Sequence, residues 1–469
     1  MAHQDRGLVV ERCWNAHDLH KALGRLLTGV SLSGIVFRLD CTWTPQTLVF
    51  AGLLWAWSDE KTLLERFATS RKIIKILFGE QAEPATSYQA FVKLLRKWTA
   101  PLMLILQVAF RSRMIAALAG VWKIEGWEVF AADGSRVDVP RTRKNEERYS
   151  PTSKLSREAQ KRRRRRRRTS QEARQRKANV PRIWMTVVWH VGSGLPWDWR
   201  TGPSDSSERG HLQEMLSSLP PRTLLTADAG FVGFDLWKMI LDAGHPLLVR
   251  VGGNVKLLKK LGYARERDGL VYLWPDQAAK KRLPPLVLRL IVVASGRHPV
   301  YLVTSILNAR ELTEQQAAAV YRRRWGIEVY YRSAKQTFER RKLRSHNPDN
   351  AMVELHWSLL GMWAMGLYAH SRLVRRGVPP QRISFANVWR AFRRPMRQFN
   401  APADPGERLT EILDQAIIDP YVRKNKSSRD YPRKKQEQAP GPPVILIASR
   451  AQVRQAQEVK AEQRKRLTA

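Results

Sequence analysis

Four residues in the last third of the chain have side chains and spacing suited to phosphate and metal chemistry: Tyr321, Arg324, Glu328 and Lys335. A helix turns about 100° per residue, so these offsets fall within roughly 60° of one another on its surface. One face would then carry a carboxylate, two cations and a phenol. The carboxylate suits a hard divalent metal, and cations with a phenol suit a phosphate. A solvated helix face with i,i+4 ion pairs has the same composition. Two aspartates upstream tip the balance. Asp133 (in Asp133-Gly134-Ser135) and Asp228 (in Asp228-Ala229-Gly230) each follow a short apolar run. The carboxyl ends of strands in an open α/β sheet gather functional groups, and small neighbours let a ligand approach the backbone. A lone Asp there is ordinarily a turn former or helix cap. Three carboxylates from separate elements can instead hold two divalent ions about 3.5–4 Å apart, the arrangement used in phosphodiester chemistry.

The elements that must position these groups follow from periodicity. Residues 127–132 read as a strand ending at Asp133. Strands at 183–190 and 195–200 form a hairpin through Gly192-Ser193-Gly194. A helix at 207–219, a strand at 223–227 ending at Asp228, a helix at 234–243 and a strand at 246–251 complete the order of an RNase H-like α/β core. Further strands at 271–274, 286–293 and 299–304 predict an inserted β-rich subdomain. Thr313 fits the N-cap of a long helix through Tyr321 to about Glu339. Apolar helix resumes over 352–373. Ahead of the core, helices are expected at 44–57, 58–78, 87–97 and 100–118, with Ser58-Asp59-Glu60 and Ser87 as starts. The predicted domains are an all-helical N-terminal domain that addresses DNA (1–122), the first part of the core (123–251), the insertion (252–308), the rest of the core (309–400) and a basic, largely flexible C-terminal region (401–469). That last region has only a weak helix after Ser449.

Charge defines the partner. The chain has 82 Lys+Arg against 42 Asp+Glu, a formal net charge of +40. This implies a polyanion, most simply DNA or RNA. Its 469 residues, 43% hydrophobic with 17 Trp, exceed what a ribosomal tail or disordered chaperone needs. The stretch 141–180 holds 17 Lys/Arg against four Glu. Within it Arg162, Arg163, Arg164, Arg165, Arg166, Arg167 and Arg168 are contiguous, which predicts a disordered basic loop that contacts phosphate. Cys13 and Cys41 are too few for a zinc site or disulfide scaffold, so reduced thiols are expected. Asp5, Glu11 and Asp18 argue against a secretion signal. The apolar stretch 355–373 reads as a buried helix rather than a membrane span. A cytoplasmic, nucleoid-associated bacterial protein without a membrane partner is the expectation.

Tyr321, Arg324, Glu328 and Lys335 also match, at every gap, the Y-(2)-R-(3)-E-(6)-K motif of DDE transposases of the bacterial insertion-sequence type, in the IS-four group. Asp133 resembles that family's first aspartate, and Asp228, in Asp-Ala-Gly-Phe with Phe231, its second. The resemblance covers about residues 125–375, the β-rich insertion included. It implies that Asp133, Asp228 and Glu328 bind two Mg²⁺ or Mn²⁺ ions, that Arg324 and Lys335 hold phosphates, and that Tyr321 hydrogen-bonds the DNA backbone. It further implies cleavage at the terminal inverted repeats of an element, a hairpin intermediate, attack of the 3′-hydroxyl on target DNA, and a homodimer joining two ends. The arginine-rich loop and the absence of an arginine after Asp228 depart from the pattern without removing a ligand.

Other residues read differently. Asp138 and Asp235 are second choices for the aspartates because neither ends an apolar strand. Trp274 reads as core before base-stacking. Trp325 reads as packed beneath the glutamate's helical turn, and His190 and His211 as satisfied histidines. An RNase H-like nuclease that does not join strands, and a non-catalytic DNA-binding derivative, are the competing functions. The second predicts a missing carboxylate, and all three are present.

Overall fold

The computed structural model describes residues 14–79, 86–151, 180–294, 299–403, 406–418 and 441–468. Four helices come first: α1 (Trp14–Leu27), α2 (Pro45–Trp57), α3 (Leu63–Phe78) and α4 (Tyr88–Ala117). Ser58 is the C-cap of α2 rather than a helix start, and Thr62 begins α3 in a capping box with Glu65. The two helices expected at 87–97 and 100–118 are one, capped by Ser87 and running through Pro101. Among the described residues α4 is the one helix long and apolar enough to cross a membrane by length and composition. It buries Leu102, Leu106, Phe110 and Met114.

A single mixed α/β sheet follows. It contains β1 (Lys123–Ile124), β2 (Trp127–Asp138), β3 (Arg182–His190), β4 (Leu195–Gly202), β5 (Leu224–Ala227) and β6 (Leu247–Val251). Helix α5 (Arg143–Tyr149) follows β2, α6 (Glu208–Met215) joins β4 to β5, and α7 (Phe234–Asp242) joins β5 to β6. The basic segment therefore opens with an ordered helix, N-capped by Thr142, where disorder was expected. The seven arginines 162–168 lie outside the described residues.

β7 (Lys256–Lys259), β8 (Leu270–Leu273), helix α8 (Asp276–Lys280), β9 (Leu286–Val293) and β10 (Val300–Thr304) come next. These strands extend the core sheet instead of building their own. With a C-terminal strand, β11 (Val444–Ile447), at one edge, the order is β11-β7-β8-β9-β10-β6-β5-β2-β3-β4, with β1 on β2. Strands β2, β5 and β6 are parallel, and the hairpin β2-β3-β4 is antiparallel.

After α9 (Glu314–Arg323) and α10 (Gly326–Arg332) comes α11 (Pro348–Arg375), a helix buried almost throughout. It joins the N-terminal helices to the core: Trp57 Nε1 donates to the Gly361 carbonyl at 2.9 Å and Trp357 Nε1 to Thr99 Oγ1 at 2.9 Å. Gly52 permits this contact, since a Cβ there would meet the Trp357 ring at 2.4 Å. Helices α12 (Phe385–Arg397) and α13 (Leu409–Asp414) pack against these.

The C-terminal segment corrects the expectation of a flexible tail. β11 (Val444–Ile447) adds to β7 in parallel, and α14 (Arg450–Thr468) buries Ala456 and Val459. Arg282–Glu462, Tyr263–Gln463 and Gln455 on the Ala279 carbonyl tie it to the sheet's far end. The apolar side of this helix finds a partner that local composition could not reveal.

Candidate active site

The sheet brings the two aspartates together. Ala132 on β2 pairs with Ala227 on β5 in parallel register, so Asp133 and Asp228 follow side by side. Asp228 ends its strand as expected, and its side chain accepts the Gly230 N–H at 2.8 Å. Asp133 does not end its strand. β2 continues to Asp138 because β3 keeps pairing with it where β5 has stopped, so Asp133 sits at the end of the parallel ladder only. Its Oδ1 accepts the Gly134 N–H at 2.8 Å. Burial, with the like charges of Asp228 and Glu208, pushes the Asp133 carboxyl up to about 7 against the pull of the Gly134 amide and Arg324.

The helix carrying the other four groups is not one regular helix to Glu339. Between α9 and α10 the bonding tightens: Arg324 N–H reaches the Tyr321 carbonyl at 3.2 Å and Glu328 N–H the Trp325 carbonyl at 3.1 Å. Past α10 it widens into a π turn over Ser333–Thr337, with Phe338 N–H on the Ser333 carbonyl at 2.8 Å. Glu339, with φ of 55°, ends it. Arg324, only 7% exposed, donates from Nη2 to Glu328 Oε1 at 2.8 Å and lies 5.3 Å from the Tyr321 ring centroid. Among the described residues its Nε and Nη1 have no hydrogen-bond partner. Burial raises the Tyr321 hydroxyl's pKa. Lys335 reaches back to β2 and donates to Ser135 Oγ at 2.6 Å; burial lowers its pKa.

Among the described residues no three His, Cys, Asp or Glu side chains converge closely enough to hold a metal ion as they stand. The donor set nonetheless has the chemistry of a hard-cation site: the carboxylates of Asp133 and Asp228 follow paired positions on neighbouring strands, each near a glycine, Gly134 or Gly230. Glu328 is turned to Arg324 rather than to the aspartates.

Two residues escaped the sequence reading. Glu208, first residue of α6, lies close enough to Asp133 and Asp228 to raise their mutual repulsion. Buried Tyr331 donates its hydroxyl to the Asp133 carbonyl at 2.7 Å and accepts the Val187 N–H at 3.2 Å. No local pattern marks either, although Ser207, whose hydroxyl caps α6, signals that a helix starts there.

The second choices do not join the pair. Asp138 accepts Arg182 Nε at 2.8 Å, and Asp235 is exposed in the first turn of α7. Trp274 is core, with Nε1 on the Leu283 carbonyl at 2.8 Å. His190 bonds Ser193 and His211 bonds Thr186, both inside the fold. Trp325 overturns its expectation. At 59% exposed it points outward from the junction of α9 and α10, because the tightened turn there faces it away from the core. Cys41 is a free thiol, and Cys13 lies outside the described residues.

The model of the family described as "Transposase DDE domain" matches residues 126–363. The chain is 26% identical over 270 residues to the transposase InsG of insertion sequence element IS4 from Escherichia coli (strain K12). That match covers 55% of this chain and 60% of InsG. A synaptic complex of piggyBac transposase with hairpin DNA aligns over 91% of this chain and 88% of its own, at 12% identity and a TM-score of 0.38.

Proposed function

Because this chain belongs to the transposase DDE domain family, we propose that it cuts the ends of an insertion sequence and joins them to target DNA by phosphoryl transfer. The observation that carries this reading is the side-by-side placement of Asp133 and Asp228 on in-register parallel strands inside the matched region. With Glu328 they would hold two Mg²⁺ or Mn²⁺ ions. Such a pair, when bound, supplies an activated nucleophile and a stabilised leaving oxygen. Arg324, already buried with two nitrogen atoms that have no hydrogen-bond partner among the described residues, would take a phosphate near the cut end. Lys335 would hold a second phosphate, and Tyr321 would donate to the DNA backbone. The order of β2, β3, β4, α6, β5, α7 and β6 supports an RNase H-like core. The helical N-terminal region and the arginines 162–168 would add phosphate contacts, consistent with the net charge of +40. A homodimer bridging two inverted repeats, with a hairpin on the element end, acting on DNA in the cytoplasm, completes the reading.

The test is an assay on a DNA duplex carrying the element's own ends. Asp133→Ala, Asp228→Ala and Glu328→Ala are each expected to reduce cutting by a thousandfold or more (about 4 kcal/mol of lost metal-ion stabilisation) while end binding persists. Cutting at the wild-type rate in Asp228→Ala would remove the site assignment. Cutting without any joined product would favour the nuclease reading. Replacing the seven arginines with alanine should weaken binding and flatten its salt dependence, since each lost phosphate contact removes about 0.9 from the log–log slope. An unchanged slope would show that the run does not touch phosphate.

A further inference from the structure

The space between the two aspartate motifs is taken by a fourth carboxylate. A Cβ on Gly134 would lie 2.5 Å from Glu208 Oε2, and one on Gly230 would lie 3.2 Å from Glu208 Oε1. Glu208 thus lies across the glycine beside Asp133 and the glycine two residues after Asp228. Its backbone is fixed at the first position of α6, where Ser207 accepts the Gly210 N–H at 3.3 Å and Leu212 and Met215 are buried below. Its carboxylate makes no hydrogen bond or ion pair among the described residues. The nearby cations are engaged: Arg209 donates to the Gly230 carbonyl at 2.8 Å, and the Arg136 guanidinium lies 4.4 Å from the Trp184 ring centroid.

A second feature points to a ligand. Arg324 is 93% buried and within electrostatic reach of Asp133 and Asp228; Nη2 is on Glu328, while Nε and Nη1 have no hydrogen-bond partner among the described residues. Those nitrogen atoms suit an anion. An anion does not settle beside three carboxylates unless cations lie between them.

We propose that Glu208 is a fourth carboxylate ligand of the divalent cations, acting beside Asp133 and Asp228. Four carboxylates balance two divalent cations in charge, where the three recognised in the sequence leave an excess of positive charge. This inference rests on the metal reading of Asp133 and Asp228 above.

Its test is Mn²⁺ binding to the full-length, DNA-free protein, followed by the electron paramagnetic resonance signal of free Mn²⁺. Asp133→Asn is expected to remove binding. Glu208→Gln is expected to weaken it by at least about 10–100-fold, the loss that removing even an outer supporting group causes, with Glu208→Asp recovering part. Melting curves in excess chelator would be the same or higher for Glu208→Gln, because one repelling charge is gone. Wild-type Mn²⁺ affinity in Glu208→Gln, with loss in Asp133→Asn, would overturn the role of Glu208 alone. Unchanged binding in Asp133→Asn would overturn the metal reading and this inference with it.

Discussion

The sheet-borne and helix-borne halves of the site are built by different means. Asp133 and Asp228 owe their placement to a hydrogen-bonded register, which fixes neighbouring strands about 4.8 Å apart and points paired residues to one face. Glu208 comes to the same place at the start of a helix packed on that sheet. Tyr321, Arg324, Glu328 and Lys335 instead ride on a helix whose bonding changes twice, tightening at Arg324 and widening at Ser333. On this half the groups serve one another: Arg324 holds Glu328, and Lys335 holds Ser135. Strand register places charges rigidly and tolerates their repulsion. An irregular helix can pair its charges and release them when a ligand offers something better.

Arg324 is where that contrast is most easily broken. If its free nitrogen atoms await a phosphate, Arg324→Ala should weaken binding of an end duplex by about 10–100-fold, the worth of a charge-assisted hydrogen bond. Arg324→Lys should recover little, because a lysine has no planar fork and would sit in a buried slot shaped for one. Equilibrium binding by fluorescence anisotropy measures both. Full affinity in the lysine variant would mean that the helix half contributes charge alone, with no geometry of its own.

The same contrast explains what the sequence could disclose. Asp228 was legible because its strand is short and stops at a cap, and Thr313 because its capping box with Gln316 is local. Trp274 was legible as core because a chain with 17 tryptophans must bury most of them. Asp133 was placed at a strand end because apolar residues stop there, yet the ladder with β3 depends on a partner 54 residues on, Val187, and carries β2 on to Asp138. The helices expected at 87–97 and 100–118 are one because α4 runs on through Pro101, where a proline costs one hydrogen bond and packing around it supplies more. Glu208 and Tyr331 meet Asp133 only through the tertiary fold, so no spacing in the chain could announce them. β11 and α14 likewise needed the distant edge of β7 to become structure.

Tyr331 links the two halves, and its loss should have the mildest effect. Its hydroxyl bridges the Asp133 carbonyl and the Val187 N–H, so helix α10 clamps β2 and β3 at the aspartate itself. Tyr331→Phe keeps the buried ring and removes only the bridge. Stability should fall by about 1–3 kcal/mol, the cost of leaving buried polar groups unpaired, read from the shift in urea midpoint at constant slope. Cutting should fall less than tenfold, because register with β5 still places the Asp133 carboxylate beside Asp228. A loss of cutting as severe as in Asp133→Ala, with stability intact, would mean that the helix rather than the sheet sets the position of the first aspartate.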